Sequence, residues 1–151
     1  MGEFLMEGPT AAQALDRILT NTVAGMAEGR IRYSPLCYEG GGTVDDLLIY
    51  RLSQERFFLV VNAACREKDF AYMQEHLMEG ATLTDVSEQY AQLALQGPNG
   101  EKILQKLARR EDIPPKYYTF TEQAIVAGKT CLISRTGYTG EDGFELYCAP
   151  P

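Results

Sequence analysis

Two stretches of this chain carry side chains able to do chemistry. In Gly41–Ala64, GGTVDDLLIYRLSQERFFLVVNAA, the carboxylate Asp46 and the amide Asn62 fall among apolar residues. The run reads as two strands, Thr43–Leu52 and Arg56–Ala64, joined by Ser53-Gln54-Glu55. Strand side chains alternate faces, so Val44, Asp46, Leu48, Tyr50 and Leu52 are expected on one side. A three-residue loop pairs Leu52 with Arg56 and, in the same register, sets Asp46 opposite Asn62, which shares its face with Phe58, Val60 and Ala64. A polar pair on an apolar stripe is costly unless something satisfies it. As an anion Asp46 would stabilise developing positive charge; as an acid it would protonate a leaving amine. Asp45, on the other face near Arg51, reads as structural.

The second stretch is RTGYTGEDGFE, Arg135–Glu145. Its glycines at 137, 140 and 143 do not make G-x-G-x-x-G and no helix follows, which excludes a dinucleotide fingerprint. A glycine-rich hairpin turn and a ligand loop fit the residue types equally well. Glu145, between Phe144 and Leu146, has two oxygens to offer a ligand edge with adjacent N–H donors. Tyr33, Tyr50, Tyr90, Tyr117, Tyr118 and Tyr138 supply flat faces suited to a planar, amine-bearing ligand, although most tyrosines are packing residues.

Composition removes several alternatives. The net charge is −7 and the pI about 4.7, without the basic stripe that phosphate backbones require. Neither a signal-like N-terminus nor a membrane-length apolar run is present in the sequence, which reads as soluble and intracellular, hence cytoplasmic. Cys37, Cys65, Cys131 and Cys148 form no C-x-x-C pair, and with a single histidine no metal site is expected. His76 reads as a cation near a helix end, and its isolation disfavours a Ser-His-Asp triad.

The elements that must position these residues follow from periodicity. Gly2–Met6 reads as a strand, broken by Gly8-Pro9. Thr10 opens a helix through a Thr10-x-x-Gln13 capping box, with Ala11, Ala14, Leu15, Ile18 and Leu19 on one face. Arg30–Tyr38 reads as a strand in which Pro35 suggests an edge or a bulge, and Arg66–Met78 as a second helix buried through Phe70, Met73 and Leu77. Thr82–Val86 closes a β-α-β-β-β-α-β order, which suits an α+β layer: a small antiparallel or mixed sheet with two helices on one face. From Ser87 the pattern restarts, ALQGPNGEKIL echoing LMEGPTAAQAL, as in two similar half-units. Tyr117–Phe120, Ala124–Ala127 and Thr130–Ser134 read as its later strands.

MGEF, LTNT, GGTVDDLLIYRL with FLVVNAACREKDF, LALQGP and SRTGYTGEDGFELY together span nearly the whole chain. In these segments the sequence resembles the T-protein of the glycine cleavage system, a family of tetrahydrofolate-dependent aminomethyltransferases. The resemblance implies a central fragment of a three-domain protein: 1–86 a complete small α+β domain carrying the hairpin, 87–151 an incomplete part of a neighbouring α+β domain. It also implies the reaction, in which an aminomethyl group on the lipoyl arm of the H-protein loses ammonia and its carbon passes to tetrahydrofolate, in glycine breakdown. Carried over by motif, the catalytic residue is Asp46, and the folate-binding positions are Met1, Tyr33, Val60, Asn62, Tyr117, Tyr138 and Glu145. The alternatives are a folate-binding protein without transferase activity and an inactive fragment that self-associates through open strand edges.

Overall fold

The N-terminal strand is paired on both sides. The computed structural model describes residues 1–151, and β1 (Gly2–Glu7) lies between β4 (Arg56–Val61) and β5 (Thr82–Asp85). With β2 (Ile31–Cys37) and β3 (Thr43–Ser53) these make a five-stranded sheet of order β2-β3-β4-β1-β5, antiparallel at every pairing. Alternation sends Phe4, Met6, Leu36, Leu47, Ile49, Phe57, Leu59, Val61 and Leu83 to one side. There they pack against α1 (Ala11–Ile18) and α2 (Arg66–Glu75), through Ala11, Ala14, Leu15 and Ile18 of the first and Met73 of the second. The expected α+β layer is thus the observed one, with both helices on one face.

This first unit runs from Met1 to Ser87, and a second compact unit from Glu88 to Pro151. The second holds β6 (Ala91–Gln96), α3 (Gly100–Leu104), β7 (Phe120–Val126), β8 (Lys129–Ser134) and β9 (Gly143–Cys148). Its sheet has the order β6-β9-β8-β7, again antiparallel, over a core of Leu104, Ile113, Ala124, Val126, Ile133, Phe144 and Leu146. The sequence echo is a structural one. Gly8 and Gly97 both take positive φ, +122° and +112°, and each carbonyl accepts the N–H of the residue three positions on, where α1 and α3 start.

Four local expectations are corrected. The Thr10 hydroxyl does not cap α1 but donates to the Glu79 carbonyl at 2.9 Å, tying the helix start to the loop before β5. Val44 does not share the face of Asp46: the β2–β3 register shifts between Leu36 and Cys37, and Val44 joins the helix-side core. This is a bulge, where one extra residue breaks the alternation. Asp45 is not beside Arg51, whose guanidinium instead donates to the carbonyls of Met26 and Ser53; Asp45 turns toward α2. Tyr117 and Tyr118 precede β7 as a turn rather than a strand, because Tyr118 takes a φ of +59°.

Candidate active site

Away from its loop the hairpin β3–β4 has the expected register, Leu48 pairing with Val60 and Tyr50 with Phe58. At the loop Ser53, not Leu52, pairs with Arg56 across a register shift, and the second strand ends at Val61, with Ala63–Cys65 a short 3-10 turn rather than strand. One step beyond the last pair, Asn62 reaches back, and its Nδ2 donates to Asp46 Oδ1 at 2.9 Å and to Asp45 Oδ1 at 2.8 Å. The bulge makes this possible. Asp45 points toward the helices and Asp46 away from them, and one amide at the strand end serves both. From β2 the Tyr33 hydroxyl donates to Asp46 Oδ2 at 2.8 Å, so each Asp46 oxygen has one protein donor and remains half-exposed.

Asp45 has a different environment. Burial alone would raise its carboxyl, but the nearby Cys65 thiol, the hydrogen bonds from the Asp46 N–H and Asn62, and the neighbouring Asp69 together outweigh it and hold the group low. Sequence reasoning gave Asp45 no part in the site; its link to Asn62 follows from the bulge on β3, next to Pro35, where the sequence allowed a bulge but did not place it.

The remaining expected positions of the first unit fall on or beside the same surface. Tyr33 pairs with Leu48, Leu48 with Val60, and Val60 with Glu3, a cross-strand row on the face opposite the helices. Met1 precedes Gly2, which pairs with Val61, and so lies at the strand end that carries Asn62. Glu3 was not expected from sequence. It is 2% exposed, and burial pushes its carboxyl up to about 6 against the pull of the N-terminal ammonium and Arg66. The Ser87 hydroxyl receives the Glu3 backbone N–H at 2.8 Å and fixes the strand there.

In the second unit, Glu145 sits on β9 opposite Ala94 and Ser134. Gln92 Nε2 donates to Glu145 Oε1 at 2.9 Å and the Thr136 hydroxyl donates to Oε2. Both oxygens therefore already hold one protein hydrogen bond, which the bare residue type did not indicate. Each carboxylate oxygen accepts more than one, and the neighbouring Gln92 Oε1 is buried with no donor. The Tyr117 hydroxyl donates to the Gly137 carbonyl at 3.0 Å. Next to it Tyr138 is 91% exposed. Tyr117, Tyr138 and Glu145 thus belong to one neighbourhood around Thr136-Gly137.

The rest of the RTGYTGEDG loop is framework. The Arg135 guanidinium donates to both Asp142 oxygens and to Glu101, and lies 5.1 Å over the Phe144 ring. Gln96 enters between the two glycines and donates to the Thr136 and Phe144 carbonyls, both at 3.1 Å. A Cβ on Gly137 or Gly143 would fall 1.9 Å or 2.2 Å from Gln96 Oε1, which explains glycine at both positions. Among the described residues there is no group of three or more His, Cys, Asp or Glu able to hold a metal ion.

With this geometry in hand, comparison with known proteins decides the family. The family model GCVT N-terminal domain matches residues 1–151. The chain belongs to this family. Curated aminomethyltransferases from Halalkalibacterium halodurans and Anoxybacillus flavithermus are each 50% identical over 148 residues, covering 98% of this chain and 40% and 41% of theirs. The chain therefore spans about two fifths of the length of these relatives. The solved glycine cleavage aminomethyltransferase T of Bartonella henselae superposes with a TM-score of 0.83 at 32% identity, over 98% of this chain and 39% of that one. A heterotetrameric sarcosine oxidase from Corynebacterium shares the fold, with a TM-score of 0.68 at 19% identity over 98% of this chain and 71% of that one.

Proposed function

We propose that this chain carries the catalytic carboxylate and part of the folate pocket of a tetrahydrofolate-dependent aminomethyltransferase, one that takes its one-carbon unit from an aminomethyl-lipoyl carrier, the H-protein. The observation that carries the reading is Asp46 held by Tyr33 and Asn62, at 2.8 Å and 2.9 Å, on a sheet face rather than in bulk water.

The residues present suit such a ligand. Gln92 Oε1 is a buried acceptor without a donor beside the Glu145 carboxylate, and a pterin edge offers adjacent N–H groups. Glu145 and Gln92 would grip that edge, while Tyr117 and Tyr138 would pack against its ring. Tetrahydrofolate, when bound, supplies the nucleophilic nitrogen that accepts the carbon. Carbon–nitrogen cleavage develops positive charge at the departing carbon, and Asp46 supplies the fixed anion facing it. Tyr33 and Asn62 keep that anion oriented without reorganisation during the reaction. The H-protein would be the donor's carrier and ammonia the released product.

Calorimetric titration with tetrahydrofolate tests this, on the chain and on a full-length family protein carrying this segment. The full-length protein should bind, and Glu145→Gln should weaken binding about 10-fold or more by removing a charge-assisted acceptor. Turnover then depends on adding the lipoyl carrier. Binding without turnover on any carrier would favour a folate-binding protein that is not a transferase.

A further inference from the structure

Helix α2 buries an acid that the site above does not use. Asp69 is 0% exposed, and Lys68 Nζ lies 3.2 Å from its Oδ1. The groups facing it are Asp45 from β3, Cys65 from the turn before the helix, and Lys68 from the helix itself. Neither Asp69 oxygen, nor Asp45 Oδ2, receives a hydrogen bond from any protein donor. Lys68 stands 4.0 Å from Asp45 Oδ2 and donates to the carbonyl of Val44, the bulged residue. One ammonium thus serves two facing carboxyls whose remaining oxygens are all acceptors.

Two carboxyls set around one ammonium, at 3.2 Å and 4.0 Å, favour keeping a proton on one of them. Asp45 is the better anion, since its Oδ1 accepts from Asn62 and from the Asp46 N–H. Asp69 has no comparable donor, and burial pushes its carboxyl up to about 6. We propose that Asp69 is a positioning residue: its carboxyl carries the proton that caps Asp45 Oδ2, fixing the Asp45 carboxylate toward Asn62 and, through Asn62 Nδ2, orienting the Asp46 carboxylate. When that proton leaves, the two carboxylates share Lys68 alone and the hold on Asn62 loosens. The geometry stands independently; only its effect on turnover rests on Asp46 being catalytic.

NMR on this chain reads the linkage without substrate. Across a titration from about pH 4.5 to 7.5, the Asp69 carboxyl carbon should shift with a midpoint near 6, and the Asn62 side-chain amide should move with the same midpoint. Asp69→Asn, which keeps a donor at every pH, should flatten the Asn62 step. An Asp69 that titrates in the ordinary carboxylate range, an Asn62 amide that stays still through the Asp69 midpoint, or an unchanged step in Asp69→Asn would each overturn the proposal. If that variant does not fold, the wild-type carboxyl and amide titrations decide alone. In a full-length family protein carrying this segment, Asp69→Asn should erase the inflection near 6 from the kcat profile and leave KM within about 2-fold. Normal turnover in Asp46→Asn with an intact Asn62 step would sink the functional reading and leave the relay standing.

Discussion

Asn62 Nδ2 lies 2.9 Å from Asp46 Oδ1 while also donating to Asp45 at 2.8 Å, so one amide joins two carboxylates that leave the strand on opposite faces. Asn62→Leu removes the donor from both and leaves part-buried acceptors facing an apolar group. The first unit should lose about 1–3 kcal/mol, read from urea unfolding of the chain. A change within about 0.3 kcal/mol would mean that water replaces the amide without cost.

Tyr33 tests the other half of the grip. Its hydroxyl is 2.8 Å from Asp46 Oδ2, and Tyr33→Phe keeps the ring. Loss of a hydrogen bond to a charged group corresponds to about 1.5–3 kcal/mol, hence about 10- to 100-fold in kcat if the bond acts in the transition state. Steady-state kinetics on a full-length family protein carrying this segment should show that loss, with folate affinity little changed. An equal loss in affinity would assign Tyr33 to binding alone.

The loop glycines make a stability prediction independent of catalysis. An alanine at Gly137 or at Gly143 would displace the same Gln96 amide and break its hydrogen bonds to Thr136 and Phe144. Each single variant should cost about 1–3 kcal/mol, and the double variant clearly less than their sum, because the amide is displaced only once. Additive costs from denaturant midpoints would count against a shared cause.

The pH dependence has a defined sign. Glu3 and Asp69 are both pushed up to about 6 by burial. The folded state therefore binds more protons than the unfolded one between the ordinary carboxylate range and 6, and stability falls as pH rises through that window. Asp45 and Asp85 are held low, Asp85 because hydrogen bonds from Arg66 and Ser87 outweigh burial. Their stabilisation is present above the ordinary carboxylate range and is lost only as pH falls below it. The chain should thus be more resistant to urea near pH 5 than near pH 7. Glu3→Gln and Asp69→Asn should each flatten the difference. A stability that rises steadily to pH 7 in the wild type would contradict both assignments.

Period-two alternation made the pairing of Leu48 with Val60, and so the place where Asn62 meets β3, legible. The loop was not, since Ser53 rather than Leu52 pairs with Arg56 and a register shift after Arg51 restores the expected alignment. The α+β layer was legible too, since the helix stripe of α1 and the strand alternation point to one buried face. The bulge at Val44, which sets the directions of Asp45 and Asp46, was half legible: Pro35, the partner of Asp46, pointed to an edge or a bulge in its own strand, but nothing placed the extra residue on β3. Asp69 is not legible as a site residue because an acid on an amphipathic helix usually faces water; its burial follows from α2 lying on the sheet. The glycines of the RTGYTGEDG loop could be read either way. What decides two of them is Gln96, some 40 residues earlier, whose amide fills the space a side chain would need. Tyr117 failed as a strand residue because local β-propensity cannot foresee the positive φ that Tyr118 takes.

The most direct test of the account is turnover of Asp46→Asn in a full-length family protein carrying this segment, assayed with the aminomethyl-lipoyl carrier and tetrahydrofolate. The substitution keeps shape and removes charge, so turnover should fall by about 100-fold or more while tetrahydrofolate affinity stays within about 3-fold. Turnover within about 2-fold of the parent would contradict the account, since no anion at that position would then be needed.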